Sequence, residues 1–251
     1  MTRDSIRKLF KTAGPAILPV IHALDAPQVD RNVRAAMRAG AHGVFLINHD
    51  FARDQLLPIV RHVRQEFPWL WLGVNFLGVT GKDAFPVLGD LLQNGCRVDA
   101  YWADDARIDE RATEQTEAID IDAARTSSGW EGMYWGGTAF KKQRDVSPAH
   151  YPDAARLACQ YMDVVTTSGV ATGKAADMTK VETFRTACGD HPLAIASGVT
   201  VENVHLYAPL LDAILVATGI NKDGDFYNID PKKLGALLKR VRETCILEPA
   251  Q

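Results

Sequence analysis

The sequence predicts one (β/α)8 barrel, a TIM barrel, with residues 1–251 as a single domain and residues 1–12 as an N-terminal extension. Three observations carry that expectation. The chain has 251 residues, close to the roughly 250 typical of such a barrel. Eight short apolar runs alternate with helical patterns, and successive strand starts lie roughly 20 to 34 residues apart, the pace of repeated βαβ units. The runs are apolar on both faces, as parallel strands buried beneath helices require. Eight alternations with no domain-sized remainder favour closure. A doubly wound open sheet is the alternative, because periodicity does not reveal closure.

In chain order the predicted strands are Ala16–Ile21, Gly43–Ile47, Leu70–Asn75, Val98–Trp102, Gly132–Trp135, Asp163–Thr167, Leu193–Ala196 and Ala213–Ala217. The helix Val29–Ala39 ends at Gly40 and the helix Ala84–Asn94 at Gly95. Glycine readily takes the left-handed conformation that closes a helix. Between these two lies Arg53–Phe67. The helices Asp109–Thr126, Pro148–Gln160 and Pro231–Thr244 begin at or beside Asp109, Ser147 and Asp230, residues suited to N-caps, and Pro148 and Pro231 take the first helical position. Met178–Cys188 and the short Val201–Tyr207, capped by Thr200, complete the series.

Composition excludes several function classes. Apolar residues make up 47% of the chain, and 28 Lys+Arg against 31 Asp+Glu give a net charge of −3. No basic excess points to nucleic acid or to an anionic membrane. No run approaches the ~20 apolar residues of a membrane span, and the polar N-terminus lacks an apolar leader core, so a cytoplasmic location is expected. The cysteines at 96, 159, 188 and 245 are scattered without metal-ligand or redox spacing. Neither a dinucleotide fingerprint nor a P-loop follows any strand. No cofactor and no metal is expected; a homo-oligomer is left open.

The chemistry is expected at the C-terminal strand ends, where barrel active sites lie. Ser197-Gly198 and Thr218-Gly219 end the last two strands. Glycine lets a ligand approach the backbone, and helix-start N–H groups favour an anion. After strands 7 and 8 this is the usual phosphate site of the fold. Ser168-Gly169 opens a related turn, and the following ATGK (171–174) reads as an anion-binding or covering loop. Across the mouth lie the candidate catalytic residues His22, Asn48, Asn75, Asp104 and Lys141. His22 suits acid–base work, the two amides suit ligand orientation, and Asp104 suits proton transfer. Lys141 suits a phosphate partner, a proton donor or a Schiff-base amine. For each a bland reading stands beside this one: a core histidine, turn-completing amides, loop solvation. Trp102 and Trp135, near strand ends, either pack or stack on a ligand.

At these residues the chain resembles the BtpA/SgcQ family of TIM barrels, itself similar to the ribulose-phosphate-binding barrels, as a divergent member. The resemblance is carried by DVVTTSGVATGKAAD, by SGVTVENVHLYAPLLDAILVATGI and by the closing FYNIDPKKLGALL. GGTAFKKQ adds a shorter match in which Lys141 falls on the family's lysine after strand 5. Where the family carries a glutamate–asparagine pair after strand 2, this chain has Ile47-Asn48. The resemblance implies a phosphate-binding barrel. One branch of the family is linked to photosystem I assembly, and others look like enzymes that accompany sugar transport. The resulting expectation is a barrel binding a small phosphorylated metabolite, a sugar or nucleoside phosphate, with isomerase, epimerase, lyase or glycosyl-transfer chemistry. The alternative is a non-catalytic assembly or regulatory protein that retains the phosphate site.

Overall fold

The computed structural model describes residues 1–247. Eight parallel strands close into a barrel in sequential order. They are β1 (Ala16–Ala23), β2 (Val44–Asn48), β3 (Leu72–Asn75), β4 (Ala100–Ala103), β5 (Met133–Gly137), β6 (Val164–Thr167), β7 (Leu193–Ile195) and β8 (Ala213–Val216). The barrel closes through β1 and β8, with Ala16 in register with Ala213. The helices are α1 (Arg3–Phe10), α2 (Ala26–Ala39), α3 (Arg53–Glu66), α4 (Gly81–Gln93), α5 (Thr116–Ser128), α6 (Tyr151–Ala158), α7 (Met178–Cys188), α8 (Val204–Tyr207) and α9 (Pro231–Leu247). Among the described residues no helix is long and apolar enough to cross a membrane.

Alternation along each strand divides the core in two. Ile17, Ile21, Leu46 and Val74 face outward and pack under the helices. Leu18, Phe45, Trp102, Trp135 and Leu215 face inward and fill the barrel. Small inward residues make room for the aromatics: a Cβ at Gly73 would run into the Phe45 ring, whose centroid lies 5.4 Å from that of Trp135. Trp135 is therefore packing, fully buried. Helix α1 plugs the N-terminal end with Ile6 and Phe10, the Phe10 ring lying edge-on to Trp71 at 5.0 Å.

The strand starts carry a repeated clamp. Asp99, Asp163 and Asp212 immediately precede β4, β6 and β8. Their carboxylates accept the N–H of Leu72, Tyr134 and Leu193, at the starts of β3, β5 and β7. Each is also paired with an arginine of the helix that precedes the first of the two strands: Arg64 of α3 at 2.7 Å, Arg125 of α5 at 2.5 Å and Arg185 of α7 at 2.9 Å. Asp212 gains a second arginine, Arg3 of α1, at 2.8 Å. In the first unit a histidine takes the place: His42 Nδ1 accepts the Ile17 N–H at 3.1 Å.

Local chemistry moved some boundaries. The helix expected from Asp109 begins at Thr116. The Asp109 carboxylate is bound to Arg111 and Arg144, and the Gln115 side chain fastens both the N–H and the carbonyl of Asp109. The helix expected over Pro148–Gln160 starts as a single 3-10 turn, Pro148–His150, before α6. Gly40 and Gly95 do take positive φ, and Asp230 caps α9 through the N–H of Lys232.

Removing one partner of a buried pair strands the other charge, at a cost of about 3–5 kcal/mol. Asp212→Ala is therefore expected to lower unfolding free energy by that order in denaturant titration. Asp153→Ala, from an exposed pair with Arg156, is expected to change it by less than ~0.5 kcal/mol.

Candidate functional site

The inward face that holds the core aromatics continues upward into polar residues. Val20 leads to His22, Gly73 to Asn75, and Trp102 to Asp104, each two residues further along its strand. All three polar residues are buried. His22, Asp104, Lys141, Ser197, Gly198 and Thr218 line one cavity at the C-terminal mouth. Asn75 stands behind it, donating from Nδ2 to Asp104 Oδ1 at 3.1 Å. Asp104 Oδ2, Trp102 Nε1 and His22 Nδ1 are buried without hydrogen-bond partners among the described residues. Such orphaned atoms are rare in folded proteins and mark places where a ligand or water belongs.

Asn48 is not brought to the mouth. It has the opposite parity to Phe45 and Ile47, and both ends of its amide serve backbone: Nδ2 donates to Phe51 O at 2.8 Å and Oδ1 accepts from Leu77 N at 3.0 Å. His49, with the inward parity, lines the cavity instead.

Lys141 arrives by a strained turn. Ala139 takes φ +47°, a left-handed conformation that costs a non-glycine residue about 1–2 kcal/mol. Lys180 of α7 holds the turn, donating to Ala139 O at 2.6 Å and to Ser168 O at 2.8 Å. Its ammonium lies 5.2 Å from the Tyr151 ring centre. Ser168 Oγ accepts the Lys141 N–H at 2.9 Å and donates to Gly169 O. Lys141 Nζ then reaches across to Ala196 O at 3.1 Å.

The glycine turns pack against one another. Gly198 has φ +64°, and a Cβ there would collide with the backbone of Lys174 and Ala175. A Cβ at Gly219 would meet Val199 O, and one at Gly169 would meet Lys174 O. Ser197 Oγ donates to Ala171 O and Lys174 O at 2.8 and 3.0 Å, tying the ATGK loop to the mouth. Thr172 and Gly173 of that loop line the cavity. Among the turn and loop hydrogen bonds of the described residues, none uses the N–H of Gly198, Val199, Thr218 or Gly219.

Burial sets the electrostatics. It raises the Asp104 carboxyl above its ordinary range, against the pull of Lys142, Asn75 and Lys141. It lowers Lys141, which Asp104 partly restores. It lowers His22 to about 4, helped by His49. An acid and a cation are thus drawn toward neutrality in one cavity, the pattern that accompanies proton-transfer sites.

The remaining wall is Phe226, from the β8–α9 loop. Its ring stacks on His22 at 3.9 Å with 25° between planes. Sequence reasoning missed Phe226 and Lys180, and from the polar trio that ends β2 it chose Asn48 over His49. An aromatic pair inside a polar loop (DGDFYNID) was a usable signal for the first, and strand parity for the last.

Residues 153–243 match the model of the BtpA family. That segment carries the turns after β6, β7 and β8, the half of the mouth with free N–H groups. None of the curated proteins matches the chain in sequence. Phosphoribosyl anthranilate isomerase from Thermus thermophilus superposes with a TM-score of 0.60 at 13% identity, covering 90% of this chain and 98% of its own. Tryptophan synthase subunit alpha from Legionella pneumophila str. Paris gives 0.62 at 15%, covering 99% and 100%. Monomers of the dimeric phosphoribosylanthranilate isomerase of Thermotoga maritima give 0.59 at 14%, covering 91% and 99%. At these identities the likeness shows the fold.

His22 is expected to stay neutral on titration down to about pH 4. Its folded value lies below the ordinary 6.5, so between those limits the unfolded chain binds the extra proton and stability rises with pH. Histidine Cε1–H shifts in NMR check this; a midpoint at or above 6.5 contradicts the buried, neutral ring.

Proposed function

We propose that this barrel binds a small phosphorylated metabolite, a sugar or nucleoside phosphate, and moves a proton on the carbon chain beyond the phosphate. The observation that carries the reading is one cavity with free backbone N–H groups on the β7–β8 side and the buried Asp104 carboxylate with the half-buried Lys141 ammonium on the other. The N–H groups of Gly198, Val199 and Gly219, with the Thr218 hydroxyl, hold the phosphate as an anion. The BtpA match over this half and the fold shared with phosphoribosyl anthranilate isomerase support it.

In this reading Asp104 is the general base. Its unpartnered Oδ2 takes a proton from the carbon next to a carbonyl, and the electron pair moves onto the carbonyl oxygen. The Lys141 ammonium stabilises that developing oxyanion. Return of the proton to the former carbonyl carbon, with the hydroxyl proton of the first carbon passing to the former carbonyl oxygen, completes an isomerisation; return to the other face of the first carbon completes an epimerisation. Asn75 holds Asp104 through Oδ1 and leaves Oδ2 to the substrate. Neutral His22 borders the same space. Ile47, apolar and lining the cavity where the family resemblance expects a glutamate, favours the second reading, a binding barrel without turnover.

Inorganic phosphate is expected to raise the melting temperature, since a ligand at about 100 times its Kd adds about 2.7 kcal/mol. Thr218→Asp, at an exposed position on the turn, is expected to remove that shift. Proton transfer is read separately, as deuterium incorporation from D2O into pentose phosphates by NMR. Asp104→Asn and Lys141→Met are each expected to lower the exchange rate about 10²-fold or more. Exchange needs Asp104 ionised and Lys141 protonated. It therefore rises with pH through a value above 3.8 and falls through a value below 10.5. Phosphate binding with no exchange at any pH selects the binding-barrel reading.

A further inference from the structure

Two buried amides on α2 have no part in the chemistry above, and their hydrogen bonds point to what the site selects. Gln28 and Asn32 are 2% and 3% exposed. A buried amide is costly unless paired, and both are paired to the β8–α9 loop. Gln28 Nε2 donates to Tyr227 O at 2.7 Å, and Asn32 Nδ2 donates to the same oxygen at 2.8 Å. Asn32 Oδ1 accepts the Ile229 N–H at 2.9 Å. From the other side Asn221 Nδ2 donates to Phe226 O at 2.8 Å. The Asp225 carboxylate takes the N–H of Tyr227 and Asn228, and Tyr227 Oη donates to Asp50 at 2.6 Å. The loop is fastened on both sides of Phe226.

That fastening holds the Phe226 ring against His22 and edge-on to His49, 5.1 Å between centroids. The position over His22, where a flat ligand ring would otherwise stack, is taken by the protein. The cavity left has a volume of about 60 Å3. At roughly 10–15 Å3 per water on that scale, about four to six waters fit. That is a small space, and the phosphate turns line the same cavity. Unpartnered polar atoms belong to three residues that line it, and they ask for hydroxyls. Trp102 Nε1 is an unpaired donor, Asp104 Oδ2 an unpaired acceptor, and His22 Nδ1 either one according to tautomer. A hydroxyl both donates and accepts, so a polyol satisfies each, while the stacking place a nucleobase would use is filled by Phe226.

We propose that Phe226 is the specificity-determining wall of this mouth, so that the site takes a short polyhydroxylated phosphate of pentose size and rejects nucleoside phosphates. The inference rests on the phosphate-binding reading above and narrows its ligand. Calorimetric titration of the full chain with inorganic phosphate, ribose 5-phosphate, ribulose 5-phosphate and UMP tests it. A pentose phosphate is expected to bind about tenfold or more tightly than UMP. In Phe226→Ala that ratio is expected to fall about tenfold or to invert, with the His22 NMR titration moving up toward 6.5 as the ring's cover is lost. Phe226→Leu keeps apolar bulk without a stacking face, serves if the alanine variant misfolds, and is expected to lie between. UMP binding as tightly as the pentose phosphates to the natural protein overturns the proposal, as does an unchanged ratio in a folded Phe226 variant. Inorganic phosphate bound while neither pentose phosphate binds overturns the proposal and leaves the phosphate site standing. No binding of any probe overturns the phosphate-binding reading, and the proposal with it.

Discussion

The barrel depends on the carboxylate clamp at its closed end. Asp99, Asp163 and Asp212 each join a strand start, the start of the neighbouring strand and a helix through one side chain. A parallel strand start leaves N–H groups that the ladder does not use, and burying them unpaired is costly. The clamp satisfies them with a charged acceptor and neutralises that charge with an arginine. Arg64 spends its other donors on Arg97 O, Pro68 O and Leu70 O, so little of the guanidinium is left unpaired. The spacing from β3 to β8 is regular, one clamp per pair of strands, with a neutral histidine standing in for the first pair. Charge buried this way is weak evidence of net stability; what it fixes is which backbone atoms meet.

With register fixed at the closed end, each inward side chain has a predetermined height in the barrel. The aromatics Phe45, Trp102 and Trp135 fill the middle, and the next inward position on three strands is His22, Asn75 or Asp104. The same packing that excludes water from the middle lifts Asp104 and lowers Lys141 and His22. The ion-pair clamps and the polar cavity are therefore separated along the barrel axis. The closed end pairs its strand-start N–H groups with the three carboxylates, and the open end leaves Trp102 Nε1 and Asp104 Oδ2 without partners among the described residues. The Lys141 turn follows the same division, its strained Ala139 held by Lys180 from outside the cavity.

The strand ends were legible because a buried parallel strand is a short apolar run that stops where polar residues begin. Side-chain direction is recorded in the parity with Phe45 and Ile47, which puts His49 at the mouth; the choice of Asn48 did not use it. The Asp109 segment was not legible: its N-cap chemistry fits a helix start, but Arg111 and the distant Arg144 hold that carboxylate in ion pairs. Helix α1 likewise declares itself by what it covers, the open bottom of the barrel under Phe10 and Ile6.

The sequence by itself determined the fold and the chemical character of the mouth. Both follow from local rules, namely apolar period, chain length between strands, and polar residues at strand ends. Tertiary structure alone decided which of those polar residues share a cavity, that Ser197 and Ser168 hold loops, and that Phe226 closes the His22 side. Those outcomes join residues as far apart as Gln28 and Tyr227, or Lys141 and Ala196. No local pattern records such pairings, because the energy that selects them, burial of a polar group with or without a partner, exists only once the barrel has closed.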